Sequence, residues 1–183
     1  SEAASLKGIP YRIDPPPDGV ETLDCSLFVL TAFRRAGIPF PSGVRVAEQI
    51  RQVCDPSEWK MLQPGDLLFF ENTYPADHAP GPDGRIASHL GISLGAGSMR
   101  MWDCHASSGP SGSPGVGITD LSTPYWQEHL FDARRPRALT GPEEDVAGVG
   151  DILSGQSGLF YRVLADSVRF RERPGLGGPI QIG

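Results

Sequence analysis

Apolar residues recur at Val29, Ala32, Phe33 and Ala36, a spacing of three and four that places them on one face of a helix. Asp24 stands where an N-cap belongs and Gly37 where a helix stops. A second helical pattern follows Ser42, with Val46, Ile50 and Val53 on one side and Pro56 as its terminator. After the turn residues Gln63, Pro64, Gly65 and Asp66 comes Leu67 to Phe70, a short wholly apolar run that reads as a buried strand. The period then changes to two. Leu90, Ile92 and Leu94 alternate with His89, Gly91 and Ser93, the pattern of a half-buried strand. Its apolar side faces the core, which turns His89 the other way. Residues 95–98 form a hairpin turn and 99–106 the returning strand.

Between these elements the chain is punctuated by glycine and proline. Residues 1–23 read as an irregular lead-in broken at Pro15, Pro16 and Pro17, and 73–88 as a loop rich in Pro, Gly and Asp. Residues 107–117 read as a low-complexity loop, 122–131 as a short helical or irregular segment and 132–139 as a last strand. Composition shifts at Thr140. The organisation expected is one domain over 1–139, a linker over 140–158 and a strand-rich segment over 159–183. A chain of 183 residues suits one domain with a real core and a small appendage.

The formal charge of −6 argues against a nucleic-acid partner or an anionic membrane surface, both of which need a basic face. Two arginine clusters, Arg134, Arg135 and Arg137, and Arg169, Arg171 and Arg173, read most simply as solvated side chains. No apolar run of roughly 18 residues exists, so no membrane insertion is expected. Residues 1–13 lack the apolar core of a signal peptide, so either the protein works in the cytoplasm or a leader has been removed.

The chemistry centres on three cysteines, Cys25, Cys54 and Cys104. The odd count leaves at least one free thiol within a chain, and a Cys54–Cys104 disulfide stays open. Cys54 reads as a small buried hydrophobe. Cys25 is different. With Asp24 as cap it occupies the first helical position, where unpaired amides and the helix dipole favour negative charge. A helix start and a nearby imidazolium both favour the nucleophilic thiolate. His89, turned away from the core, is the candidate base. A three-residue hairpin loop at Ala96, Gly97 and Ser98 sets His105 directly opposite His89, giving a Cys25–His89–His105 relay in which one ring orients the other. A two-residue loop instead sets Cys104 opposite His89. Asp103 is the fallback orienting group. A zinc site from Cys54, Cys104 and His105 is poorly spaced and lacks a Cys-x-x-Cys pair, so neither metal nor cofactor is expected.

The ordered set Asp24-Cys25-Ser26 before an apolar helix, then 63–70 (QPGDLLFF), 88–97 (SHLGISLGAG) and 104–106 (CHA), resembles the NlpC-type cysteine peptidases over about residues 8–137. That resemblance implies a papain-like α+β fold, N-terminal helices carrying the cysteine on an antiparallel sheet that carries the base. It implies hydrolysis of peptidoglycan stem peptides, typically between γ-D-glutamyl and diaminopimelyl residues, through a Cys25 thioester, and work secreted or at the cell wall. Tyr11 matches a family tyrosine that puts a hydroxyl near the oxyanion or substrate. Asp24 and Ser26 match positions that touch the substrate. The chain departs from the family at Leu27, where glycine is usual, at Asp14 to Pro17, where paired glycines precede the cysteine, and in its longer spacing from His89 to His105. The end of the chain resembles the opening strands of a bacterial Src-homology-3-like wall-binding domain, too short to close a barrel. Two other readings remain: a thiol amidase or acyltransferase on the same relay, and a non-catalytic wall-binding module.

Overall fold

The computed structural model describes residues 1–17, 21–75, 78–106 and 114–140; the expected C-terminal segment and all of the expected linker but Thr140 lie outside the described residues, as do Arg169, Arg171 and Arg173. The elements are α1 (Glu2–Ser5), α2 (Cys25–Arg35), α3 (Ala47–Gln52), β1 (Cys54–Pro56), β2 (Pro64–Phe70), β3 (His89–Leu94), β4 (Arg100–His105), β5 (Gly115–Asp120), α4 (Pro124–His129), β6 (Leu130–Pro136) and α5 (Arg137–Thr140). The strands form one antiparallel sheet in the order β1-β6-β2-β3-β4-β5. With the helices laid against it, this is the α+β arrangement expected.

Helix α2 runs where its spacing placed it. Asp24 caps it through a 2.7 Å hydrogen bond from the Leu27 amide. It ends because Gly37 takes φ of 78°, a left-handed conformation that glycine adopts without a Cβ clash. Its apolar face buries Phe28, Val29, Ala32 and Phe33 against Leu67, Phe69, Leu90 and Ile92 of the sheet. Each such side chain contributes roughly 1.5–3 kcal/mol by leaving water. Leu68, Phe70, Met101, Leu121, Trp126 and Ala133 form a second, smaller cluster. Residues of β2 therefore alternate between two apolar layers, which explains its unbroken hydrophobic run. The same second layer corrects the half-buried expectation for β3, all six of whose residues are buried.

Other expectations are corrected as well. The lead-in contains α1, capped by Ser1, which at four residues is too short to show a period. The second helix is shorter than its apolar pattern, with Val46 as cap and Val53 as its C-terminal neighbour. Cys54 opens a strand paired with Pro136, and all three cysteines are free thiols. The last strand spans Leu130–Pro136 and gives way to α5 at Arg137. Residues 115–117, expected as loop, belong to β5. Its glycines disfavour a strand on their own, and pairing with every residue of β4 overrides that. Arg134, Arg135 and Arg137 are ion-paired with Asp132, Asp66 and Asp55 rather than freely solvated. Among the described residues no helix is long and apolar enough to cross a membrane.

One polar cluster fixes the approach to β3. Arg51, 2 % exposed, bonds both oxygens of Glu48 and reaches Asp83 and Asp132. Glu48 in turn accepts the Ala87 amide at 2.9 Å, two residues before His89. Loop, α3 and β6 thus meet on one guanidinium. Arg51→Met strands the buried Glu48 carboxylate and is expected to cost about 3–5 kcal/mol in urea unfolding. An unchanged unfolding midpoint would show that the cluster holds nothing together.

Candidate active site

Cys25 is the first residue of α2 and is 5 % exposed. The amides of Cys25 and Ser26 precede the intrahelical ladder, so the helix start presents donors beside the sulfur. Asp24 is held from several sides. Besides the Leu27 amide, its Oδ1 accepts from Ser26 Oγ at 3.0 Å and from Arg45 at 3.1 Å, and Arg45 also bonds Oδ2. Arg45 donates to Ser26 Oγ at 3.0 Å too. The expected substrate contacts Asp24 and Ser26 are thus joined to each other and to a partly exposed cation that sequence reasoning passed over. Only the three-dimensional return of the 41–46 segment to the helix start reveals Arg45.

Tyr11 is half-buried and forms a parallel bridge with Leu23, two residues before the thiol. Burial first, then the negative charge of Cys25 and Asp24, pushes its hydroxyl well above the usual phenol range. It stays protonated and able to donate.

His89 starts β3. The observed register, Ile92 opposite Trp102 and Ser93 opposite Met101, is the one that sets His89 opposite His105. The rings nevertheless do not bond each other. His89 Nε2 lies 3.0 Å from Asp103 Oδ2, and His105 Nδ1 lies 3.2 Å from the same oxygen. Thr119 donates to Asp103 Oδ1 at 2.7 Å. Asp103, fully buried, therefore stands between the histidines and takes the orienting place first expected of His105.

The glycine pattern accounts for this. Gly117 is the direct partner of Asp103 on β5, and continuing the β3–β4 ladder by one residue puts Gly91 opposite it on the other side. With no side chains on either flank, the carboxylate reaches diagonally to His89 and Thr119 and along its own strand to His105. A Cβ at Gly91 would lie 2.4 Å from Met101 Sδ and 2.9 Å from the Trp102 carbonyl oxygen, so only glycine keeps β3 and β4 at this distance. The signal available in the sequence was a glycine two residues after His89 and another two before Thr119.

With Nε2 taken by Asp103, Nδ1 is the nitrogen left for Cys25, whose side chain hydrogen-bonds the ring. Burial alone would discharge the imidazole. The bonds to Asp103 and Cys25 and their negative charges outweigh it and raise the His89 pKa to about 10. Asp103 moves the other way: burial opposes its charge, but the two histidines hold it below the usual carboxylate range. Phe70 and Trp126 flank the His89 ring at centroid distances of 5.8 and 5.3 Å and shield it. The group is a cysteine sulfur, an imidazole and a carboxylate joined in one hydrogen-bonded line, able to attack a carbonyl carbon and to shuttle one proton.

Cys104 lies on the apolar side of β4, donating to the Leu23 carbonyl at 3.3 Å, and burial pushes its thiol far up. Burial likewise pushes Cys54 up to about 12, so neither competes with Cys25 as nucleophile. Among the described residues no His, Cys, Asp or Glu group is arranged to hold a metal, the Cys54, Cys104 and His105 set included.

The NlpC/P60 family pattern matches residues 8–135. The chain is 32% identical over 136 residues to a bifunctional muramidase/DL-endopeptidase of Bacillus subtilis, covering 73% of this chain and 34% of that protein. It is 33% identical over 178 residues to a gamma-DL-glutamyl hydrolase of the same species, covering 92% and 38%. It thus spans little more than a third of either relative. Among solved structures, an NLP/P60-family protein similar to lipoprotein from Staphylococcus aureus superposes with a TM-score of 0.56 at 30% identity, over 74% of this chain and 39% of that one.

Because His89 is protonated more readily in the folded chain than unfolded, the folded state binds the extra proton between about pH 6.5 and 10. The stability this supplies is complete below 6.5 and is lost as pH rises through that window, by up to about 1.4 kcal/mol per pH unit. Urea unfolding across the window is expected to show a steeper decline for the wild type than for His89→Gln. Parallel curves would contradict the assignment.

Proposed function

Because the chain belongs to the NlpC/P60 family, we propose that it is a cysteine peptidase that cuts peptidoglycan stem peptides at the bond following a γ-D-glutamyl residue, typically before diaminopimelate. The observation that carries this reading is the Cys25–His89 pair anchored on Asp103. That one Bacillus subtilis relative is a DL-endopeptidase and the other a gamma-DL-glutamyl hydrolase supports this bond. Such a substrate places the protein's work outside the cytoplasm, at the wall.

In the proposed mechanism the Cys25 thiolate attacks the amide carbonyl carbon. The oxyanion that forms is met by the Cys25 amide and the protonated Tyr11 hydroxyl. His89 Nδ1–H protonates the leaving amine as the C–N bond breaks, leaving a thioester. Water then attacks the thioester, Nδ1 takes its proton, and the thiolate leaves as the acid product forms. Throughout, Nε2–H stays on Asp103, which orients the ring and balances its charge.

The substrate class fits the charge beside the nucleophile. A γ-linked glutamyl residue keeps a free α-carboxylate close to the scissile bond. Arg45 is 35% exposed at its side chain and uses three hydrogen bonds on Asp24 and Ser26, of the five N–H donors a guanidinium has. Its remaining donors offer a cation for that carboxylate, with Asp24 and Ser26 fixing its position.

Purified muropeptides digested by the wild type and by Cys25→Ala, and read by mass spectrometry, test the reaction. The expected result is one new amine terminus, that of the residue following γ-D-glutamate, with the wild type only. Binding by both proteins without cleavage would indicate a wall-binding module, and cleavage at another amide would refute the assigned bond. Arg45→Met is expected to raise KM for the free α-carboxylate substrate about tenfold, the worth of one charge-assisted contact, and to leave the α-amidated form less affected. Equal effects on both would remove Arg45 from recognition.

A further inference from the structure

Three donors converge on one buried carboxylate, and only one of them belongs to the ring beside the thiol. His89 and His105 share Asp103 Oδ2, while Thr119 occupies Oδ1. The remaining nitrogen of His105, Nε2, is buried and has no hydrogen-bond partner among the described residues. Two consequences follow. Placing the ring proton on Nε2 would bury an unpaired N–H, so the neutral ring carries it on Nδ1, aimed at Asp103. And among the described residues the outer nitrogen meets no group to which it could pass a proton, so none of them continues the relay.

We infer that His105 and Thr119 are positioning residues that act as fixed hydrogen-bond donors to Asp103, one on each oxygen, and that His105 transfers no proton in the reaction. Between them they orient the carboxylate, keep it charged, and aim its free lone pair at His89 Nε2. Both are almost fully buried, so water does not compete for either oxygen. Gly115, opposite His105, and Gly117, opposite Asp103, keep side chains of β5 out of the space these groups use. The inference rests on the peptidase reading of Cys25 and His89, and adds to it a division of labour in which one histidine carries the proton and the other only donates.

The two histidine roles separate by substitution. The side-chain amide of asparagine places an N–H where imidazole Nδ1 stands and cannot titrate; glutamine places its N–H where Nε2 stands; leucine keeps bulk and has no donor. His105→Asn is expected to keep kcat and KM within a few-fold of wild type. His105→Leu and His105→Gln are expected to lose kcat roughly tenfold to a hundredfold, the worth of one hydrogen bond to a charged group, with KM little changed. On the other oxygen, Thr119→Ser should remain near wild type and Thr119→Val should fall as His105→Leu does.

Alkylation of Cys25 by iodoacetamide at neutral pH, located by peptide mass mapping, follows the same order and needs no substrate. A protein that cleaves no muropeptide but keeps this order of alkylation rates would sink the peptidase reading and leave the donor roles standing. His105→Asn as impaired as His105→Leu would make His105 a proton carrier and overturn the inference. So would His105→Leu or Thr119→Val at wild-type rates, which would reduce either residue to packing. Should the leucine and valine variants fail to fold, the Asn against Gln comparison decides for His105 and Thr119→Ser, if slow, decides against Thr119.

Discussion

A single carboxylate with no access to water organises this protein. Asp103 stays charged in the interior because three donors reach it, and its charge in turn holds a proton on His89, the ring that bonds Cys25. Burying an unpaired carboxylate would cost many kcal/mol, and the ring would then be neutral. The sheet makes the arrangement affordable to fold because glycine flanks Asp103 on both neighbouring strands. What the sheet supplies is therefore a gap beside Asp103 as much as a set of side chains.

The two halves of the candidate site arrive from distant parts of the chain, and separate polar devices hold each. On the helix side, Asp24 caps α2 through the Leu27 amide and ties Arg45 to the helix start. On the sheet side, Arg51 gathers α3, β6 and the loop before β3 onto Glu48, so that the strand bearing His89 begins at a fixed point. Trp126, delivered by a one-turn-and-a-half helix near the end of the described chain, closes over the imidazole. Removing water there strengthens the pair it covers.

Much of this was legible along the chain. The apolar spacing from Val29 to Ala36, the Asp24 cap and the stop at Gly37 specified α2, and alternation after His89 specified β3 and its hairpin. The identity of the group on His89 was less legible. Direct cross-strand pairing favoured His105, while the bonding follows a diagonal that opens only because Gly91 and Gly117 carry no side chains. Strand β5 was illegible for a related reason: its glycines read as loop, and only β4 makes them a strand. Arg135 and Arg137 looked solvated because their partners, Asp66 and Asp55, lie about seventy to eighty residues away in sequence. Local pattern reports periodicity and caps well, and reports badly any interaction whose partner arrives by tertiary folding.

Asp103 and Cys25 together keep His89 a cation in the resting protein, with Nε2–H on the carboxylate and Nδ1–H on the sulfur. The nitrogen chemical shifts of the His89 ring at pH 7, in protein labelled with nitrogen-15, report this directly. Both ring nitrogens are expected to show protonated, imidazolium shifts. A neutral ring at that pH, with either nitrogen bare, would contradict the account.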